Sequence, residues 1–169
     1  MRHDPNNFWE QLERLEKLIR ASEMKAGLIL SFQSIILGLF FDRLDDLQVT
    51  FGKDDIAFMV IVSIWLICAS ISIYFSIKCF MPRLELKFDK NIFFFRDAAR
   101  SYGGIDEFTK ELLKVYLNEE ELFKQLGEQI YIESKIIDEK FKNVQKSIKF
   151  LAFSFIFVVL LLVLWLLKL

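Results

Sequence analysis

Apolar residues along this chain collect in three blocks separated by stretches dense in Lys, Glu and Asp, rather than recurring evenly from end to end. That layout predicts membrane spans joined by polar segments, because a soluble core draws apolar residues from the whole chain at a helical or strand period. The clearest block, residues 57–77, runs for 21 residues without a charge, between Asp54-Asp55 and Lys78. At about 1.5 Å per residue it covers roughly 30 Å, the thickness of a bilayer core. Residues 150–167 form a second such block, closed by Lys149 and Lys168. The block at 26–41 is shorter and includes Ser31, Gln33 and Ser34, so by length it also fits a buried or re-entrant helix. We assign it as a span because the helix before it can supply another turn while Lys25 reaches back toward the headgroups.

The polar stretches carry helical patterns of their own. Phe8, Leu12, Leu15, Ile19 and Ser22 fall at gaps of four and three, and Asn6 or Asn7 can cap the start. This predicts an amphipathic helix over residues 1–25 that runs into the first span, packed on other cytoplasmic helices or lying on the lipid surface. A second long helix is signalled at Asn118, a capping residue followed by Glu119, Glu120 and Glu121 at the positive end of the helix dipole. Leu122, Leu126, Ile130, Ile137, Phe141, Val144, Ile148 and Leu151 keep a stripe on one face up to the last span. The helix is therefore expected to be continuous from residue 119 to 167, roughly 70 Å. Between these parts, Ile92 to Phe95 form an apolar knot, Gly103-Gly104 break the chain, and Asp106 can cap a helix over 107–117.

The expected fold is all-α: an integral membrane protein with three transmembrane helices and a helical cytoplasmic layer. It divides into an N-terminal helix (1–25), span 1 (26–41), an acidic external hairpin (42–56), span 2 (57–77), a cytoplasmic helical segment (78–149) and span 3 (150–167). Lys and Arg number five before span 1, two between spans 1 and 2, and fourteen over 78–149. Since positive charge is retained inside, the N-terminus and residues 78–149 are expected in the cytoplasm.

Composition narrows the chemistry. The formal net charge of −1 gives no sign of a nucleic-acid polymer as partner. Cys68 and Cys79 are too few for a disulfide framework and are expected as free thiols. His3 is the sole histidine, so neither a histidine-based metal cluster nor a Ser/His/Asp constellation can be assembled, and no phosphate-binding glycine loop is present. We expect no catalytic centre, no metal and no resident cofactor. The spacings Gly27-x-x-x-Ser31 and Ser34-x-x-x-Gly38, with Ala69, Ser72 and Ser76 in span 2, mark faces for close helix packing, either within one chain or between copies. Lys87, Lys90, Arg96 and Arg100 stand among aromatics, a mixture able to hold a phosphate and stack a base and equally at home on a solvated surface.

Taken in order, Glu23-Met24-Lys25-Ala26-Gly27 entering span 1, Pro82-Arg83 leaving span 2, Phe93-Phe94-Phe95, Gln129-Ile130, Ser134-Lys135-Ile136 and Lys140-Phe141 before span 3 resemble the membrane effectors of the Pycsar bacterial anti-phage systems. The resemblance covers nearly the whole chain. It implies a protein of the bacterial inner membrane that responds to a cyclic pyrimidine nucleotide, cCMP or cUMP, made by a companion cyclase, by impairing membrane integrity. It carries no binding site across residue by residue. On charge and placement alone, Arg83, Arg96, Arg100 and Lys135 are the candidate partners of the nucleotide phosphate, and a homo-oligomer is the expected assembly. The alternative is a constitutive membrane scaffold whose long helix pairs with another protein.

Overall fold

The structure, a computed structural model, describes residues 4–51, 55–81 and 90–168. Every regular element among them is an α-helix: α1 (Asn6–Asp42), α2 (Leu44–Phe51), α3 (Ile56–Phe80), α4 (Phe95–Arg100), α5 (Ile105–Leu117) and α6 (Glu119–Lys168). Helices α1, α3 and α6 are each long and apolar enough to cross a membrane, so the chain is an all-α integral membrane protein. Helix is the form that lets a single segment satisfy its own backbone hydrogen bonds in lipid.

Local chemistry sets the helix ends. The α1 start is held by Asp4, whose carboxylate accepts from the Asn6 N–H at 3.0 Å; the two asparagines lie inside the helix rather than capping it. Asp55 caps α3 by accepting from the Phe58 N–H at 3.1 Å. Asn118 caps α6 through the Glu121 N–H at 3.3 Å, as its position predicts, and is the single residue between α5 and α6. Helix α5 starts at Ile105, two residues before the expected start. Asp106 therefore sits in its first turn, and Glu107 reaches back to the Gly103 N–H at 2.7 Å. In the acidic stretch between the first two spans, residues Leu44–Phe51 wind into α2 with Asp45 and Asp46 in its first turn.

The chain forms two compact units, to both of which α1 and α6 contribute. The first comprises Met1–Arg20 and Arg83–Asp138, the second Ala21–Pro82 and Glu139–Leu169. In the first unit Ile92, Val115, Leu122 and Leu126 are buried together, with Phe8, Leu12, Phe93 and Phe108 packed on them. Asn91, buried at the foot of the Phe93 turn, ties this core. Its amide donates to the Gln125 carbonyl at 2.8 Å and to Glu128 at 3.1 Å, and its side-chain oxygen accepts from the Phe93 N–H at 2.9 Å. Gln125 in turn accepts from the Ile92 N–H at 3.0 Å. The apolar knot thus holds its shape through buried amides, since its own residues are too few to form a helix there.

The second unit packs the three spans in two apolar clusters, Ala26, Ile29, Cys79 and Val144 in one, Phe51, Phe58 and Leu161 in the other. Outward faces carry large exposed apolar residues such as Leu28, Ile35, Ile67, Ile156 and Leu160. That exposure would be a liability in water and is the normal state of a lipid-facing surface.

Candidate functional site

Most of the polar residues inside the second unit fall on one repeat. Buried Ser22, Ala26, Ile29 and Gln33 on α1 are spaced four, three and four. Trp65, Ala69, Ser72, Ser76 and Cys79 on α3 are spaced four, three, four and three, and Lys140, Ser147, Ser154 and Leu161 on α6 lie seven apart. A repeat near 3.5 keeps each of these faces turned to its neighbours along the packed helices. The result is a seam of polar groups inside an apolar exterior.

At one end of the seam the Lys140 ammonium donates to Glu23 Oε1 at 2.7 Å and to the Cys79 carbonyl at 2.8 Å. Cys79 lies in the last turn of α3, where carbonyls lack helical partners, so Lys140 caps that helix with a cation at its negative end. Next along α6, Ser147 and Ser72 exchange hydroxyl-to-carbonyl hydrogen bonds at 2.8 and 2.9 Å, and the Ser76 and Ser147 hydroxyls meet at 2.7 Å. Further on, Gln33 Nε2 donates to Ser154 Oγ at 3.3 Å. Trp65, fully buried, packs against Phe40 with ring centroids 4.5 Å apart. Beyond it lies a cavity of about 450 Å³ lined by Trp65, Leu161 and Trp165, with Arg43 and Asp46 also on its wall.

Three buried atoms in this unit have no hydrogen-bond partner among the described residues: Gln33 Oε1, Trp65 Nε1 and Asn143 Nδ2. Leaving such a group unpaired away from water costs about 1–3 kcal/mol each. The small-residue faces divide accordingly. Ala69, Ser72 and Ser76 are buried within the chain, Gly27 faces Phe80, and Ser31, Ser34 and Gly38 are exposed.

The first unit holds a second feature, a cup of about 360 Å³ walled by Trp9 and Phe93, with Glu13 and Glu16 on one side and Gln129 and Glu133 on the other. The two rings meet edge to face, centroids 5.4 Å apart. Glu13 and Glu16 are each paired with a cation four residues on, Lys17 and Arg20. Gln129 Nε2 donates to Glu133 Oε1 at 2.9 Å, while Gln129 Oε1 and Glu133 Oε2 have no partner among the described residues. Burial raises the Glu133 pKa; the Gln129 hydrogen bond opposes this and the nearby Glu16 charge adds to it.

Of the four cations expected at a phosphate, Arg96 and Arg100 lie one turn apart on α4, both exposed. Lys135 is exposed on α6 with its ammonium 5.4 Å from the Tyr131 ring centroid. Arg83 lies outside the described residues. Lys90 stands 3.5 Å above the Tyr102 ring. Reading the sequence missed the Lys140–Glu23 pair and the Trp9–Glu133 cup. The seven-residue spacing of Lys140, Ser147 and Ser154 was the available signal for the first; the cup, drawn from three distant segments, left none. No group of three His, Cys, Asp or Glu side chains able to hold a metal occurs among the described residues.

Compared with known proteins, residues 7–167 match the family model described as the Pycsar effector protein domain. No curated protein and no solved structure matches the chain.

Proposed function

The chain belongs to the Pycsar effector family, and from that premise we propose that it is the membrane-damaging arm of a bacterial anti-phage system, switched on by cCMP or cUMP from a companion cyclase. In this reading it sits in the inner membrane with its N-terminus and residues 78–149 in the cytoplasm, receives the nucleotide in its first unit, and acts as a homo-oligomer without catalytic turnover. The observation that supports the reading best is a shared scaffold. Helix α1 supplies Trp9 to the cup and also the first span; α6 supplies Gln129 and Glu133 and also the third. A ligand can shift an equilibrium only by its differential affinity for two arrangements, and a continuous helix offers one element on which such a preference can act.

The cup has the size of a small-ligand site, with Trp9, Leu12 and Phe93 beside the polar side chains of Glu13, Glu16, Gln129 and Glu133. Trp9 and Phe93 offer faces for a base, and the free acceptors of Gln129 and Glu133 offer partners for its N–H groups. Arg83, Arg96, Arg100 and Lys135 remain the candidate partners of its phosphate.

The test is dye release from liposomes holding the purified protein, titrated with cCMP, cUMP, cAMP and cGMP. Release set off by a pyrimidine nucleotide alone is the expected result. Silence toward all four, in protein shown to be folded and inserted, would replace this reading with a constitutive scaffold.

A further inference from the structure

The second unit buries hydroxyls and amides among its apolar clusters and turns large apolar side chains outward. From Lys140 to Ser154 the seam runs 14 residues along α6, about 21 Å of rise, and beyond it lies the cavity at Trp65 and Leu161, lined by apolar side chains apart from Arg43 and Asp46. Lipid tails are as apolar as the span surfaces, so these spans are held by van der Waals packing and interhelical hydrogen bonds, the latter at about 0.6 kcal/mol each on average. Each hydroxyl or amide bond of the seam is thus weak enough to be exchanged for one to water. Gln33, Trp65 and Asn143 moreover keep polar atoms unpaired at 0–3% exposure. Water can pair with each of these in turn, a donor indole, an acceptor amide oxygen and a donor amide nitrogen.

We infer that the seam is a concealed permeation wall: when the spans part in the active assembly, Gln33, Ser72, Asn143, Ser147 and Ser154 turn to a shared water-filled passage. This rests on the proposed membrane-damaging function and adds to it which surface conducts and what passes. Along the seam beyond Lys140 and Glu23 the buried polar side chains are neutral, so the passage takes water and small ions of either sign rather than selecting one, as a ring of charges would. The seam side chains move from mutual hydrogen bonds to water. The outward apolar faces stay in lipid, so opening demands no charged group in the hydrocarbon.

The experiment uses the full chain in liposomes, with Cys68→Ala and Cys79→Ala as background. Single substitutions Ser72→Cys, Ser147→Cys and Ser154→Cys probe the seam, and Ile156→Cys and Leu160→Cys probe the outer face. A charged, water-soluble methanethiosulfonate reagent is applied with and without the activating nucleotide. The expected result is labelling of the seam thiols at least tenfold faster once leakage begins, less than twofold change at the outer positions, and slower leakage after labelling. Leakage with the seam thiols still protected would overturn the inference and leave the nucleotide response standing. A second variant needs no ligand: Ser147→Asp forces water into the seam and is expected to leak constitutively, whereas Leu160→Asp is not. Constitutive leakage of Ser147→Asp in a protein silent to all nucleotides would uphold the seam and remove the nucleotide reading. Tight vesicles with inserted Ser147→Asp would overturn the seam.

Discussion

The Lys140 ammonium lies 2.7 Å from the Glu23 carboxylate, and the two partners differ in burial: the lysine side chain is 4% exposed, the glutamate 38%. The pair bridges α1 and α6 while the same ammonium caps α3 at Cys79. Asymmetric burial predicts asymmetric costs. Glu23→Ala strands a buried cation with one carbonyl and is expected to lower stability by about 3 kcal/mol. Lys140→Met lets the half-exposed glutamate turn to water and is expected to cost about 1–2 kcal/mol. Thermal melting in detergent checks the order, and the double variant should be more stable than Glu23→Ala alone. Equal losses for the two single variants would contradict it.

Gln33 is fully buried in the middle of the first span with its Oε1 unpaired. Gln33→Leu removes that atom and the 3.3 Å bond to Ser154, at similar volume. We expect the melting temperature to rise, by about 1 kcal/mol in stability, while nucleotide-triggered leakage falls severalfold. Melting and dye release on the same preparation separate the two effects. A less stable variant with undiminished leakage would contradict both.

Glu133 supplies a pH signature. Burial raises its folded-state pKa above the ordinary carboxylate value, so between that ordinary value and the raised one the folded state holds more proton than the unfolded. Stability contributed by this group is then present at low pH and falls as pH climbs from about 4.5 through the raised pKa. Glu133→Gln keeps an acceptor for Gln129 and cannot ionise, and is expected to flatten the pH dependence of melting over that window. A profile unchanged by the substitution would contradict the assignment.

Asn91 makes its hydrogen bonds at 1% exposure. Asn91→Ala leaves the Phe93 N–H and the Gln125 carbonyl without their side-chain partner, at about 2–3 kcal/mol. Because Phe93 forms a wall of the cup, nucleotide affinity should fall along with stability. Calorimetric titration below the melting range measures that loss, and unchanged affinity would place the ligand elsewhere.

The spans were legible because a charge-free run of 21 residues leaves few alternatives. Continuity of α6 followed from a stripe with no helix breaker in it, and the role of Asn118 from its position before three glutamates. Lys140 was harder to read, since the sequence shows a cation in a basic stretch and nothing says that its partner stands 117 residues away. Ser72 and Ser76 read correctly as a close-packing face, but which helix they meet is a tertiary fact. The cup was invisible because Trp9, Phe93 and Glu133 come together only through folding. Arg96 and Arg100 were picked for charge, and their exposed α4 positions leave the phosphate assignment resting on charge still.

Division of the chain into interleaved units also governs its biogenesis. The first unit needs Met1–Arg20 together with Arg83–Asp138, and the 62 residues between them (21–82) are synthesised in the interval. At ribosomal rates of about 5–20 residues per second that interval lasts roughly 3–12 s before the second piece begins to be made. By its end the segments of α1 and α3 that can span the bilayer have been synthesised, while the third has not. A chain stopped anywhere before α6 carries neither Gln129 nor Glu133 nor the last span, so truncated products of this gene are expected to be unresponsive rather than toxic.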